Sequence, residues 1–292
     1  MEKSKISQAA LIKKSWVGAF DIIFRANKIA IPFGVIALLE LVGIAALFIA
    51  IQPPAVKYIT PIVLRFWGEQ FLHYPYNLLL LSGLFSHLQV VLAVVLGTLC
   101  SGLTISNVFQ YTQTEQFSYK TSFKKVLIKY VSLIIITILV LFLIKFSYSM
   151  EKRVLIKIMM KGQSFLKLRS EDWSMLFIVF GVITAGFVQS VFAFAHTAII
   201  IDNKNFITAI FRNIAFVFKN LSAVCVLVIV PLVVFIPVTL LKGNLFELMK
   251  RTAPEIVFAV LGLGVVISFF INMIVTISTT NAYILIKGQD DE

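Results

Sequence analysis

Six apolar stretches dominate this sequence, and each is long enough to cross a membrane as a helix. An α-helix needs about 20 apolar residues to span the hydrocarbon core of a bilayer. With 59% hydrophobic and 14% charged residues over 292 positions, the chain has more apolar surface than a water-soluble core can bury. The sequence therefore predicts an all-α integral membrane protein. Its six transmembrane helices are predicted at residues 30–51, 78–109, 131–148, 175–201, 221–241 and 256–286.

Four prolines refine this map. Pro53 and Pro54 directly follow the first apolar stretch, so we expect that helix to end before them. Pro231 and Pro237 lie inside the fifth stretch, where a proline removes a backbone hydrogen bond and frees a carbonyl group. The sequence therefore predicts a kinked fifth span.

Three short segments, each an aromatic residue followed by small and apolar residues, precede the odd-numbered spans. They read WVGAF at 16–20, YKTSF at 119–123 and FITAI at 206–210. Recurrence in phase with the spans suggests one unit used three times within a single membrane domain, over residues 10–109, 115–201 and 204–287. Around Trp16 and Phe206 the apolar residues share one helical face, so we expect an interfacial amphipathic helix before each hairpin.

The distribution of Lys and Arg residues only weakly indicates the orientation of the chain in the membrane. With the amino terminus inside, the inner segments hold fourteen Lys and Arg residues and the outer segments twelve. The first outer loop has only Lys57 and Arg65, and early short segments weigh most in the positive-inside rule. The sequence therefore favours two cytoplasmic termini and a multi-pass protein of a cytoplasmic (inner) membrane.

The segment 145–174 holds seven of the cations, with Arg153, Lys157 and Lys161 spaced four residues apart. This spacing favours an interfacial helix that turns its cations toward anionic lipid headgroups or a partner protein. The alternative is a third helix that projects beyond the bilayer with its cations extended to water. Nucleic-acid binding is not expected, because the charge is spread over both sides of the membrane.

The exit of the fourth span reads AHTAIIIDNKNFITAIFRNIAFVFKNLSAV. A span end rich in small residues, an acidic or Asn-containing turn and an amphipathic segment resemble bacterial six-span proteins of the YciC type. They also resemble the membrane domain found beside some glycerophosphoryl diester phosphodiesterases. The resemblance implies a membrane module associated with envelope or lipid functions. It brings no catalytic residue, because the chain lacks the soluble phosphodiesterase domain.

The sequence shows no motif for catalysis, a metal or a cofactor. The three histidines lack metal-ligand spacing with Cys, Asp or Glu, and phosphate-binding glycine loops and nucleophile elbows are missing. Gly262 and Gly264, like Gly102 and Gly186, lie in apolar runs, where glycine favours close helix packing. Cys100 and Cys225 also lie in apolar runs. The sequence therefore predicts a protein that is not an enzyme and carries no cofactor.

Polar residues inside the predicted spans are the strongest functional candidates. Glu40 lies near the middle of the first span, where a carboxylate costs several kcal/mol unless it is protonated, paired or hydrated. Counting about 1.5 Å per residue places His87 at a similar depth and Gln189 and Asn272 somewhat deeper. We expect these four residues to form a cluster, with His87 as the first candidate partner of Glu40. Its role is either helix packing or a proton- or substrate-linked site.

Two functions remain open from the sequence. The first is a non-catalytic subunit or scaffold of a larger membrane complex in a bacterial envelope, favoured by the lack of catalytic motifs and by helices available for docking. The second is a transporter or lipid-handling protein, favoured by internal repetition, the proline-containing fifth span and the mid-membrane polar residues. The expected partners are membrane lipids and other membrane subunits or further copies of the chain. The interfacial contacts are expected at Trp16, Arg153, Lys157 and Lys161.

Overall fold

The computed structural model describes residues 7–162 and 170–291, and all the regular structure in those ranges is helical. The helices are α1 Gln8–Arg25, α2 Ile31–Ala50, α3 Val56–Phe66, α4 Tyr76–Leu92, α5 Thr98–Thr114, α6 Tyr119–Gly162, α7 Ser170–Val191, α8 Ala195–Ile201, α9 Phe206–Lys219, α10 Leu221–Val233, α11 Ile236–Gly243, α12 Leu245–Arg251 and α13 Ile256–Asp291. A π-helical segment, Ala93–Gly97, joins α4 to α5.

Five helical stretches of the described chain are long and apolar enough to cross a membrane, and a bent pair brings the number to six. In the bent pair, α9 meets α10 at 97°. The five stretches are Asn27–Ala50, Tyr76–Thr114, Tyr119–Val154, Met175–Ile201 and Ile256–Gln289. The predicted all-α membrane fold is confirmed.

The fifth predicted span is divided into two helices. α10 has 13 residues, about 20 Å of helix, which is too short to cross the hydrocarbon alone. Pro231 lies in its last turn, and Pro237 lies in the first turn of α11, where a proline has no backbone hydrogen bond to lose. The predicted break at the prolines is therefore present. α2 likewise ends at Ala50, before Pro53.

The bundle has two ends with different covers. At the end that we call the near end, α1 packs along α13, and the amphipathic α9 packs on α8. α1 and the last third of α13 lie side by side there, since a side-chain carbon added at Gly18 would lie 3.1 Å from the Asn281 amide. At the opposite, far end, Val63 of α3 and Leu245 of α12 share one apolar core with Ile51. The six passes thus connect a near end and a far end.

The surface between the two ends is apolar. Leu38 and Val42 of α2 are 61% and 56% exposed, and Phe142 of α6 is 62% exposed. Val91 of α4, Phe180 of α7 and Phe270 of α13 are also at least half exposed. Apolar side chains exposed in this way on several long helices would drive aggregation in water, whereas lipid tails solvate them. The outer face of the bundle is therefore the face expected for contact with lipid.

The prediction of a separate amphipathic helix before every hairpin is wrong for the second unit. α1 and α9 are separate helices, but α6 runs without interruption for 44 residues from Tyr119. α1 ends at Arg25 and α9 ends at Lys219, and an asparagine follows each within two residues, whereas residues 119–131 contain no Gly, Pro or Asn that would favour a stop. One feature is common to the three segments: their fourth residues, Ala19, Ser122 and Ala209, are fully buried.

Candidate functional site: a polar cavity inside the helical bundle

A cavity of about 270 Å³ opens among α2, α5, α6, α8 and α13, and a second compartment of about 180 Å³ adjoins it. Both compartments are lined by Gln189, His196 and Asn272. Most of the remaining wall is apolar, as in Phe33, Ile144 and the other aliphatic residues around them. The site therefore combines a few polar groups with a hydrophobic surface, the composition typical of small-molecule pockets.

The helices that line the cavity belong to two packed groups. α2 packs mainly on α13 and α4, whereas α6 packs mainly on α5 and α7. The cavity lies where these groups face each other, with Ala37 of α2 on one wall and Leu141 of α6 on another.

Glu40 is the charged group of the cavity. It is 9% exposed and lines the larger compartment. Its Oε2 accepts a hydrogen bond from Gln89 Nε2 at 3.2 Å, and Lys242 of α11 lies within electrostatic range. The ammonium group of Lys242 lies 5.7 Å from the centre of the Phe235 ring. Among the described residues, Glu40 thus has one neutral donor and one cation near it.

A chain of hydroxyl groups leads to His196. Thr98 Oγ1 donates to Thr137 Oγ1 at 2.9 Å, and Thr137 Oγ1 lies 3.0 Å from His196 Nε2. Thr137 also lies 3.1 Å from the Leu133 carbonyl oxygen. All three polar side chains line the larger compartment. Hydroxyl and imidazole groups in this arrangement can both donate and accept hydrogen bonds, so they can bind a polar group or relay a proton.

Two of the helices lose regular α-helical geometry beside the cavity. The π-helical segment Ala93–Gly97 frees backbone carbonyls, and the hydroxyl of Tyr130 donates to the Val95 carbonyl at 2.6 Å. π-Helical segments occur preferentially at functional sites. Ala93 and Gly97 both line the cavity. The irregular backbone therefore borders the cavity at Ala93 and Gly97, whereas Val95 is exposed on the outer surface of the bundle.

The second irregular segment separates α7 from α8, just before His196. Asn213 of α9 is fully buried and bridges the break. Its Oδ1 accepts from the Phe194 N–H at 2.9 Å, and its Nδ2 donates to the Val191 carbonyl at 2.5 Å. These bonds replace the helical ones that residues 192–194 lose. The amphipathic helix at the near end thereby fixes the position of His196 in the cavity.

The structure brings three of the four predicted polar residues together. Glu40, Gln189 and Asn272 line one compartment, and Asn272 has an exposed side chain at its surface. His87 does not reach Glu40: its side chain is exposed, and its Nδ1 lies 2.8 Å from the Gly83 carbonyl oxygen. Residues 87 and 89 point to opposite sides of a helix that turns 100° per residue. The prediction of His87 as the partner was therefore wrong, and the partner is Gln89.

The predicted interfacial residues lie apart from the cavity. Trp16 is half-buried and packs against the core of the near end. Arg153 and Lys157 are exposed on the far part of α6, because that helix continues to Gly162 instead of giving way to a separate interfacial helix. The side chain of Lys161 and residues 163–169 lie outside the described part of the chain. The structure shows one continuous helix as far as residue 162, which agrees with the alternative of a longer third helix; its position relative to the bilayer stays a prediction.

Sequence reasoning missed Gln89, His196 and Lys242. Gln89 and His196 are polar residues in apolar runs, and depth counting applied to every such residue would have included them. Lys242 follows the fifth span and looks like an ordinary flanking cation. Among the described residues, no group of three or more His, Cys, Asp or Glu side chains could hold a metal ion.

Comparisons with family models, with curated proteins and with solved structures find no match to this chain. The resemblance to YciC-type proteins and to phosphodiesterase membrane domains stays a prediction. Functional conclusions must therefore come from the cavity and its residues.

Proposed function

We propose that this protein is a transporter or lipid-handling membrane protein whose intramembrane cavity binds a small amphiphilic molecule. The observation that carries the proposal is the position of Glu40 in a mixed polar and apolar cavity between two helix groups. A carboxylate inside a bilayer is costly and marks a substrate, ion or proton site by default. The broken spans two, four and five add support, since discontinuous helices form the binding sites of many transporters.

The chemistry of the walls suggests what the molecule looks like. Glu40, Gln189 and Asn272 provide acceptors and amide donors for a polar group, and Phe33, Val265 and their neighbours contact an apolar group. A volume of about 270 Å³ is nearly twice that of an apolar cavity known to hold benzene, at about 150 Å³. A headgroup or small solute fits this space, with any longer chain directed toward the bilayer.

Ligand retention tests the proposal. Membranes are solubilised with an amphipathic polymer, and the molecules that remain with the purified protein are identified by mass spectrometry. We expect a molecule enriched over the bulk membrane in the natural chain and lost in a Glu40→Gln, Gln189→Leu variant. The matched control is Glu69→Gln, which changes the same charge at the far end, outside the cavity. A lipid profile equal to that of the bulk membrane in all three proteins would contradict the proposal.

A non-catalytic subunit or scaffold is the second proposed function, and the length of α6 favours it. At 44 residues the helix is about 66 Å long, more than twice the hydrocarbon thickness, and it presents exposed Arg153, Val154 and Lys157. The same purification separates the two functions. A stoichiometric partner protein that is lost when Arg153 and Lys157 are changed to glutamine would support the subunit function.

We further propose that the near end faces the cytoplasm of a bacterial cell. The support is the weakly basic first loop at the far end and the basic residues around α1. A chain with Cys100 and Cys225 changed to alanine receives one new cysteine at the exposed Tyr58 or at the exposed Lys120. We expect a membrane-impermeant maleimide added to intact cells to label the Tyr58→Cys protein and not the Lys120→Cys protein. The reverse pattern would overturn this orientation.

A further inference from the structure

A second polar centre lies at the near end of the bundle, outside the cavity. Asp202 follows α8, and its side chain is only 3% exposed. It accepts hydrogen bonds from the Tyr283 hydroxyl and from Lys287 Nζ at 2.7 Å, and Arg212 Nη1 lies 3.2 Å from it. Three elements, the turn after α8, the amphipathic α9 and the end of α13, thus meet at one carboxylate.

Two more cations lie close to this carboxylate. Lys125 of α6 interacts electrostatically with Asp202, Lys287 and Lys129, and its ammonium group lies 5.6 Å from the centre of the Phe109 ring. Lys129 Nζ donates to the Asn203 carbonyl at 2.8 Å. We call Lys125, Lys129, Arg212 and Lys287 the basic cluster. Four cations around one carboxylate leave a formal excess of three positive charges among these five residues.

The burial of the basic cluster distinguishes it from ordinary surface lysines. The side chains of Arg212 and Lys287 are 32% and 30% exposed, and Lys125 and Lys129 are half-buried. The neighbouring Lys120 and Lys124 are exposed. Bringing like charges together in a partly desolvated site costs free energy unless a counter-ion neutralises them. The single carboxylate of Asp202 does not supply enough negative charge.

The position of the cluster indicates the chemistry of the missing anion. Ile199–Ile201 precede Asp202 in an apolar span, and the adjacent α9 exposes Ile207, Phe211 and Phe218. An amphipathic helix with such a face lies at the boundary of headgroups and acyl chains. Phosphate groups are concentrated at that depth. Arginine and lysine bind phosphate oxygens through charge-assisted hydrogen bonds.

We propose that the basic cluster is a binding site for a phosphate group, supplied by an anionic phospholipid headgroup or by free phosphate. Asp202 holds Arg212 and Lys287 in place, and Lys129 is bonded to the Asn203 carbonyl, while Lys125 is the cation of the cluster with no hydrogen bond among the described residues. Lys125 is therefore the residue whose loss removes phosphate affinity without dismantling the Asp202 network. The site is independent of the cavity and of its proposed function.

The test measures binding to the full chain purified in an uncharged detergent. Phosphatidylglycerol is titrated by native mass spectrometry, with phosphatidylcholine as the zwitterionic comparison, and inorganic phosphate is tested by thermal stabilisation. We expect Lys125→Gln to raise the Kd of phosphatidylglycerol about fivefold, the contribution of one basic side chain near an anionic lipid. The matched control, Lys124→Gln, removes the same charge from the next, exposed residue and should change the Kd by less than about twofold.

Each outcome of the binding measurements has one interpretation. Binding of phosphatidylglycerol alone identifies a lipid headgroup, and equal stabilisation by inorganic phosphate identifies a free phosphate site. Equal losses in the Lys125 and Lys124 variants, or failure of both phosphate sources to bind, would overturn the proposal. Asp290 and Asp291 follow Lys287 in the sequence, so the titration is repeated with both changed to asparagine. If the Lys125 effect then disappears, those carboxylates and not a phosphate are the counter-ions, and the proposal fails.

Discussion

Among the described residues, Asp202 and Glu40 are buried carboxylates whose surroundings differ in kind. Asp202 at the near end has three hydrogen-bonding or ionic partners, two of them cations. Glu40 in the cavity has one hydrogen bond, from the neutral amide of Gln89, with Lys242 farther away. A charge that is fully paired fixes the elements around it, whereas a charge with few partners beside open space can exchange protons or ligands. This difference supports the proposal that Asp202 stabilises the fold and that Glu40 binds a ligand.

The largest expected effect tests the structural half of this comparison. Asp202→Asn removes the negative charge that Arg212 and Lys287 share, and breaking a buried ion pair from one side costs about 3 kcal/mol of unfolding free energy. The measurement is the thermal midpoint of the detergent-solubilised chain, followed by size-exclusion chromatography. Asp21→Asn is the matched control, because the exposed Asp21–Arg25 pair is worth only a few tenths of a kcal/mol. Equal thermal midpoints for Asp202→Asn and Asp21→Asn would show that Asp202 contributes no more to stability than an exposed carboxylate.

A second near-end prediction concerns Asn213. Asn213→Ala leaves the Phe194 N–H and the Val191 carbonyl without partners at the break before His196, which should cost about 2 kcal/mol. The same thermal assay measures it. Asn220→Ala is the control, since Asn220 makes one local bond, to the Phe216 carbonyl. A larger fall in the thermal midpoint for Asn220→Ala than for Asn213→Ala would show that α9 does not stabilise the break between α7 and α8.

The packing around glycine should be tighter at Gly102, among buried aliphatic side chains, than at Gly264, beside the side chain of Lys242. In Gly102→Ala the new carbon would lie 2.9 Å from Val126 and 3.1 Å from Leu133, both fully buried, so overpacking should cost about 1–2 kcal/mol. In Gly264→Ala it would lie 3.2 Å from the ammonium end of Lys242, which can move away. Gly262→Ala is the control, with open space around it. We expect the thermal midpoint to fall only in the Gly102 variant, and equal losses at residues 102 and 264 would contradict the looser packing around Lys242.

A smaller effect is expected at Glu40. Glu40→Gln keeps the size of the side chain and an oxygen that can accept from Gln89, so the unfolding free energy should change by less than about 1 kcal/mol. Reaction with the apolar reagent dicyclohexylcarbodiimide, mapped by peptide mass spectrometry, provides the second readout. We expect the peptide with Glu40 to be modified in the natural chain and the reaction there to be lost in the variant. A destabilisation as large as that of Asp202→Asn would assign Glu40 to structure instead.

The smallest effect is expected at the exposed pair of Tyr74 and Glu255. Glu255 has one hydrogen-bond partner, as Glu40 does, but it is exposed, so the pair tests the effect of burial at an equal number of partners. Glu255 accepts one hydrogen bond from the Tyr74 hydroxyl at 3.1 Å, but both residues are exposed. This bond raises the pKa of the Tyr74 phenol. A raised pKa means that the contribution is present below the unfolded pKa of about 10 and is lost as the pH rises through the folded one. Because both residues are exposed, water replaces the lost hydrogen bond, so Tyr74→Phe should leave the thermal midpoint nearly unchanged at neutral pH. A clear fall there would contradict this view of the far end.

Much of the architecture could be predicted from the sequence because a helix that crosses the hydrocarbon core must be apolar over about 20 residues. Apolar length alone located α2 to within one residue at each end and located the start of α13, although α13 continues five residues beyond the predicted end at 286. The prolines located the division of the fifth span. The separate helix predicted before the third span was wrong, because one amphipathic pattern fits either a separate helix or the first turns of a longer one. Depth counting placed His87 level with Glu40, and Gln189 and Asn272 somewhat deeper. It did not identify Gln89 as the partner, since the rotation of α4 depends on its packing.

The sequence by itself determined the class of the protein, the number of apolar passes and the presence of polar groups at mid-depth, because these follow from local composition and from the thickness of a bilayer. Only the tertiary structure decided which polar groups meet. Asp202 and Lys287 are 85 residues apart in the chain, and Glu40 and Gln89 are 49 residues apart. Such pairs depend on how the helices rotate and pack against one another, and their rotation is set by interhelical contacts that local composition does not encode.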